Sequence, residues 1–342
     1  MVRKKTNIVV LMGGKSPEYN VSVASGIEIV KNLSKRKYDI SPILISPNGK
    51  QWYLSSPHPI LNLPNPLDPQ VLPDDLIPPV RKTLNGLSQL NVHIDVVFIA
   101  MHGPCGEDGT VQGMLDLAEV KYTGSGVLAS AIGMDKLVFR QIMASYKILV
   151  PKYVVIKKNE TLSKITKILG KPPYFVKPNN QGSSVGNSIV KTRKDLKKAL
   201  NLAWKFSNIA LVDEYLKGRE FTIGVIGDKK PKAFPVVEIV TNQEFFDYKA
   251  KYQDEGTQEI VPATVDKKIA KMIQDVAISI FTKLSCRGVA RVDFILKGKK
   301  LYVLEINTIP GMTENSLIPK SARAAGMSSS QLLDTIIKDA MR

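Results

Sequence analysis

Several things are scarce in this sequence, and each scarcity excludes a class of protein. Of 342 residues only two are cysteine, Cys105 and Cys286, far apart and outside any C-x-x-C spacing. They build neither a disulfide framework nor a zinc site, and they fit a reducing, cytoplasmic setting. No apolar run nears the roughly eighteen residues of a membrane span; the longest are Ile8 to Met12 and Val96 to Met101. Arg3, Lys4 and Lys5 precede an apolar stretch too short for a secretory core, and Gly13-Gly14 follows at once, so export is not expected. Acid is also short: 31 Asp and Glu against 48 Lys and Arg leave a net charge of +17. Such a balance raises a nucleic-acid partner. Yet only ten of those bases are Arg, the Lys residues are dispersed, and no reader motif accompanies them. Neither a nucleic acid nor a membrane is expected as partner.

Hydrophobic residues at 44% and charged residues at 23% describe a globular chain with ample core material, long enough for two or three units. Asn7 to Met12 reads as a strand ending in Gly13-Gly14, followed by a helical pattern at Val21, Ala24, Ile27, Val30 and Leu33. Strands at Tyr38 to Ile45 and Ile94 to Ala100 and a helix over Asp108 to Glu119 make the first third an open α/β layer. Between those strands, residues 57 to 79 hold eight of the 21 prolines, which excludes a central strand or a long helix there.

Beyond a boundary near 122 to 134, the pattern predicts a helical stretch to Lys147, strands at Tyr153 to Ile156 and Tyr174 to Lys177, and a helix at Leu162 to Leu169 between them. A returning strand follows at Asn187 to Val190. Thr192 with Asp195 has the spacing of a capping box opening the next helix. Strands at Ile209 to Asp213 and Glu220 to Ile226, a helix over Asp266 to Lys283, and a hairpin of Val289 to Leu296 with Lys300 to Asn307 complete a three-part α/β and α+β protein.

Two elements carry chemistry. Lys177 stands at a strand end before Pro178 to Gly186, a glycine- and serine-rich loop able to fold over phosphates, though it lacks the order of a Walker loop. In the hairpin, Arg291 and Asp293 share one face, as do Glu305 and Asn307. Their hard oxygens suit Mg²⁺, which leaves positions for water and phosphate. Thr308 to Thr313 is a bent loop able to present N–H groups beside them. Between the two elements, the linker Asp213-Glu214-Tyr215-Leu216 could meet an adenine through its backbone, with Glu220 placed for ribose hydroxyls.

With these motifs in order, the chain resembles the D-alanine:D-alanine ligases of the ATP-grasp superfamily. Gly13 to Ser22 fits the family's G-G-x-S-x-E-x-x-V-S. His102-Gly103 with Gly106-Glu107-Asp108-Gly109 fits its H-G-x-x-G-E-D-G. Tyr122 to Gly126, Met134-Asp135-Lys136, the Lys177 to Gly186 loop, Tyr248 to Tyr252, Arg291-Val292-Asp293, Glu305 to Thr308 and Pro310 to Thr313 follow in sequence. The resemblance spans residues 8 to about 330, with no counterpart near 50 to 90. It departs at Asp213, where the family more often has Glu, and a shorter carboxylate there would loosen an adenine contact.

The resemblance implies a three-domain ATP-grasp fold, divided at 1–125, 126–224 and 225–342, whose first domain is an open parallel α/β layer. It implies ATP-dependent ligation of two D-alanines through an acyl phosphate, for peptidoglycan precursor synthesis, by a cytoplasmic homodimer using ATP and two Mg²⁺ ions, or Mn²⁺. Lys136 and Lys177 would contact phosphates, Lys251 the transferring phosphate, and Asp293, Glu305 and Asn307 the metal. Arg291 and the Gly311 N–H would form an oxyanion hole. Glu18 would bind the first ammonium and join Ser183 and Tyr252 across a closed site. His102 would sit near the first substrate, and Ser316 with the Leu317 backbone would receive the second carboxylate. Competing readings are a D-lactate or D-serine ligase, against the first of which Tyr252 argues, and a catalytically silent nucleotide-binding regulator.

Overall fold

A computed structural model describes residues 4–56, 93–158, 160–241 and 257–342. The proline-rich segment, Lys251 and Tyr252 lie outside the described residues. The chain opens with β1 (Thr6–Gly13), α1 (Tyr19–Asn32), β2 (Tyr38–Ile45), β3 (Trp52–Leu54), β4 (Val96–Ile99) and α2 (Thr110–Leu117). These form a sheet in the order β3-β2-β1-β4, with β1 parallel to both β2 and β4. Near-continuous apolar strands are what a sheet covered on both faces requires. Parallel pairing delivers the loops after β1 and β4 to the same edge, the usual place for a ligand in an open α/β layer. Gly13, at φ 83°, makes the turn after β1; a Cβ there would stand 2.3 Å from the Ile45 carbonyl oxygen.

Two helices follow, α3 (Val127–Met134) and α4 (Lys136–Ser145), the second capped by Asp135, whose carboxylate accepts from the Val138 N–H at 2.9 Å. The next sheet comprises β5 (Tyr153–Lys157), β6 (Tyr174–Pro178), β7 (Ser188–Val190) and β8 (Ile209–Glu214), all antiparallel in the order β5-β8-β6-β7. It is covered by α5 (Ser163–Leu169) and α6 (Arg193–Ala203). Thr192 precedes α6 but does not cap it: its hydroxyl donates to Asp195 at 2.8 Å, so the expected capping box is replaced by a side-chain pair.

The largest sheet runs β12-β11-β9-β13-β14, from β9 (Arg219–Gly227), β11 (Val237–Thr241), β12 (Thr257–Ile260), β13 (Gly288–Lys297) and β14 (Lys300–Asn307), with the short β10 (Lys232–Ala233) on β9. The division expected after residue 224 falls inside β9, whose residues pair with β13 from end to end, so the sheets part at the 215–218 linker. Helix α7 (Lys267–Lys283) buries Ile273, Ala277, Ile280 and Phe281 against this sheet, in one core with Phe139 and Met143 of α4. After α8 (Leu317–Ala324), α9 (Ser329–Met341) starts with a capping box of Ser328 and Gln331 and returns to the first sheet. There Leu332, Leu333, Ile336 and Ile337 share a core with Ile8, Val10 and Met12.

The C-terminal helix therefore completes the N-terminal core. Truncating Ile336 to Ala should lower the unfolding free energy by about 2 to 5 kcal/mol in urea titration. A change below about 0.5 kcal/mol, the range of surface substitutions, would contradict this packing role.

Candidate active site

Between the sheets lies a cavity of about 920 Å³, lined by Lys177, the 213–216 linker, Glu220, Arg291, Asp293, Glu305, Gly311, Ser316 and Leu317. A second, of about 50 Å³, is lined by Glu18, His102, Lys136, Ser183 and Asn307, and it shares Arg291, Glu305 and Gly311 with the first. All the expected site residues within the described structure thus border two adjacent spaces that share lining residues.

The hairpin supplies the floor. Arg291 pairs across from Asn307 and Asp293 across from Glu305, so the four side chains project from one face as the alternation predicted. The register shifts just after Asp293, leaving Leu304 unpaired, and a bulge of this kind re-aims neighbouring side chains. The Arg291 guanidinium grips Asp293 with bonds of 2.9 and 2.8 Å, and the Thr222 hydroxyl donates to the same carboxylate. Glu305 meets Lys136 at 3.1 Å. The Asn307 amide oxygen accepts from the Ile309 N–H at 2.9 Å and starts the bend of the 308–313 loop. Among the described residues no three His, Cys, Asp or Glu side chains cluster to hold a metal. The set is two carboxylates and an amide, which suits a hard cation completing its shell with water and phosphate oxygens.

Lys136 and Lys177 form one wall. Lys136 opens α4 and donates to the Gln181 carbonyl at 2.7 Å, while Asn179 accepts the Leu137 N–H at 2.8 Å, so the loop after β6 is pinned to a helix N-terminus. Beneath Lys177 lies an arrangement the sequence reading did not anticipate. Asp213 does not offer its carboxylate to an adenine: it is buried in a two-point pair with Arg140, at 2.5 and 2.7 Å, and meets Lys177 at 3.3 Å. Burial would raise this carboxyl, but Arg140 and Lys177 outweigh that and hold it below the usual range. Arg140 sits one helical turn after Lys136, the spacing that places both on one face of α4. Burial, reinforced by Arg140, lowers Lys177 to about 8. Glu214 borders the cavity, but its carboxylate accepts the Lys152 N–H.

The loop from Asn179 to Gly186 borders the small cavity through Gln181, Gly182 and Ser183. Ser183 and Ser184 take left-handed conformations, φ 45° and 60°, a cost of about 1 to 2 kcal/mol each for a non-glycine residue. The Ser183 hydroxyl donates to Glu18, which occupies the N-cap position of α1 without capping it. Gly182 fits only because it lacks a side chain: a Cβ would lie 2.3 Å from Glu18 Oε2.

His102 is buried, and burial lowers its pKa. Nδ1–H donates to the Ile309 carbonyl at 2.8 Å, and Nε2 pairs with the Ser25 hydroxyl at 2.9 Å. Ser25 in turn accepts the Met312 N–H at 3.2 Å. With both nitrogens engaged, the ring is not free to act as a base; it ties the 308–312 loop, and with it Gly311, to α1. Ser316 ends that loop, bonded to Thr313, and the N-terminus of α8 opens on the larger cavity, a setting suited to an anion.

Comparison with known proteins agrees with this geometry. Residues 7–125 match the family model for the D-ala D-ala ligase N-terminus and residues 142–338 the model for its C-terminus. A D-alanine–D-alanine ligase of Geobacillus kaustophilus is 38% identical, over 97% of this chain and 94% of its own. The solved VanG D-Ala:D-Ser ligase of Enterococcus faecalis is 32% identical with a TM-score of 0.85, covering 98% of this chain and 100% of that one. The D-alanine–D-alanine ligase of Bacillus anthracis complexed with ATP is likewise 32% identical, with a TM-score of 0.77 and 98% coverage of both chains.

The electrostatics of Lys177 yield a pH prediction. An anionic nucleotide prefers the ammonium, which is present below about 8 and lost above it. Calorimetric ATP affinity should therefore hold from pH 6.5 to 7.5 and weaken about tenfold by pH 9, while Lys177→Arg, which does not titrate, should stay flat. A flat wild-type profile would contradict the assignment.

Proposed function

The chain belongs to the D-alanine–D-alanine ligase family, and from that premise we infer the reaction of its site: ATP-dependent joining of two D-alanines to D-alanyl-D-alanine, a peptidoglycan precursor. The single observation that supports it most is the adjacency of the two cavities, which share Arg291, Glu305 and Gly311, a large space for nucleotide beside a small one for an amino acid.

An amine does not displace an oxide from a carboxylate, so the carboxylate must first be activated. On this reading the first D-alanine sits in the small cavity with its ammonium toward Glu18, and its carboxylate attacks the γ-phosphate of ATP in the large one. ADP leaves, and an acyl phosphate remains. The amine of the second D-alanine adds to the acyl carbon, and collapse of the tetrahedral intermediate expels phosphate. Phosphoryl transfer needs chiefly positioning and neutralisation of charge. Lys136 and Lys177 hold phosphate oxygens, and Lys251 would approach the transferred group. Arg291 and the Gly311 N–H steady the developing oxyanion. Ser316 and the Leu317 backbone receive the second carboxylate. Ser183, bonded to Glu18, holds the 179–186 loop shut as a lid, with Tyr252 as the third partner; closure keeps water from the acyl phosphate.

Asp293, Glu305 and Asn307 would hold magnesium, two ions or manganese in their place, which neutralises phosphate charge when bound. The adenine would lie against the 213–216 linker and the ribose near Glu220. Assembly as a homodimer and residence in the cytoplasm complete the proposal. No described helix is long and apolar enough to cross a membrane. Relatives at 35 to 41% identity carry the D-alanine–D-alanine name, so D-serine and D-lactate as second substrates are not favoured.

Phosphate release from ATP should require D-alanine and magnesium, with L-alanine inert and D-serine or D-lactate poor second substrates. Asp293→Asn and Glu305→Gln should each lower turnover by at least about a hundredfold while the fold persists, because each removes a charge at the phosphoryl step. D-alanine-independent hydrolysis, or full activity in both variants, would contradict the reading.

A further inference from the structure

We propose that Glu107 is a second carboxylate of the ammonium subsite, gripping the protonated amine of the first substrate jointly with Glu18 and selecting an amino acid over its hydroxy analogue. This rests on the ligase reading and deepens it, since that reading assigns the ammonium to Glu18 alone.

Glu107 follows β4 and Glu18 follows β1, so parallel pairing of those strands brings both to one edge. Each residue is only 6% exposed, and both line the small cavity. In each, Oε2 is buried with no hydrogen-bond partner among the described residues. The two carboxylates converge beneath Gly182, where a Cβ would lie 2.3 Å from Glu18 Oε2 and 3.3 Å from Glu107 Oε1. A buried carboxylate oxygen without a partner is costly, and two of them on one small cavity call for a water, an ion or a ligand to meet them. The cations that border this space have other partners: Lys136 meets Glu305 and the Gln181 carbonyl, and Arg291 meets Asp293.

The missing partner is therefore a small cation with several N–H donors. A primary ammonium has three, enough to meet both carboxylates at once. A volume of about 50 Å³ exceeds what a single water needs. A bare metal ion is the poorer match here: His102 has both nitrogens engaged, and Glu305 and Asn307, which also line this space, already meet Lys136 and the Ile309 N–H. Burial and the nearness of Glu18 push the Glu107 carboxyl well above its ordinary value, against the opposing pull of Lys136 and Arg291. A hydroxyl such as that of D-lactate brings one donor and no charge, so it leaves one oxygen unmet.

The test is calorimetric binding of D-alanine and of D-lactate to the full chain loaded with a non-hydrolysable ATP analogue, for wild type, Glu107→Gln and Glu107→Asp. Glu107→Gln should weaken D-alanine about tenfold to a hundredfold, leave D-lactate within about twofold, and preserve the thermal midpoint. Glu107→Asp should fall between, and it carries the comparison if the Gln variant does not fold. In steady-state kinetics, KM for the first D-alanine should rise while those for the second and for ATP stay put. Equal D-alanine affinity in wild type and Glu107→Gln, or parallel weakening of D-alanine and D-lactate, would overturn the proposal. Wild type that binds D-alanine in a Glu107-dependent way but turns none over would uphold the subsite and sink the ligase reading; wild type that does not bind D-alanine would sink both.

Discussion

Antiparallel pairing of β13 with β14 sets Asp293 against Glu305 and Arg291 against Asn307, and the rest of the site depends on that register. A slip of β14 by one residue would turn Glu305 and Asn307 into the apolar core and bring Ile306 to the cavity. The register is secured from both sides. β9 pairs with β13 throughout, and α7 packs against the same sheet. The charged face then organises what surrounds it. Glu305 meets Lys136 at the start of α4, Arg291 straps Asp293, and Asn307 begins the loop that carries Gly311.

Closure is the second constraint, and it falls on the loop tip. The Ser183 and Ser184 backbone holds a conformation that costs energy, and the Ser183 hydroxyl bond to Glu18 helps to offset it. Loop geometry is thereby coupled to the first sheet, because Glu18 stands at the turn after β1. The His102 and Ser25 pair does the same for the opposite wall, fixing the 308–312 loop to α1. Two loops from different sheets thus meet over one small cavity. This is what an intermediate sensitive to hydrolysis demands.

Much of this was legible in the sequence. Strict helical period gave α7, an apolar run ending in Gly13-Gly14 gave β1, and the apolar run of Ile94 to Ala100 gave β4. Alternation along the hairpin gave the face shared by Asp293, Glu305 and Asn307. What stayed hidden depends on contacts between distant segments. Asp213 read as an adenine contact because nothing local reveals that Arg140, 73 residues away, takes its carboxylate. A signal existed: in a chain with only ten Arg among 48 bases, an Arg one turn beyond Lys136 is a choice of geometry over charge. Arg140, Arg219 and Arg291 each grip a carboxylate with two nitrogens, and each borders or underlies the large cavity. Glu107 was part of a recognised motif, yet its open oxygen appears only once β4 lies beside β1. The 192–195 spacing misled for the opposite reason: a local pattern was present, but the side chains bonded to each other.

The central claim is that a carboxylate is activated by phosphorylation inside these adjacent cavities. Its most direct test follows oxygen. With D-alanine labelled by ¹⁸O in both carboxylate positions, attack on the γ-phosphate makes one labelled oxygen the bridge of the acyl phosphate, and displacement by the amine sends that oxygen away with phosphate. Mass spectrometry of the products should find one ¹⁸O in each inorganic phosphate formed per dipeptide. Unlabelled phosphate accompanying dipeptide would contradict the account.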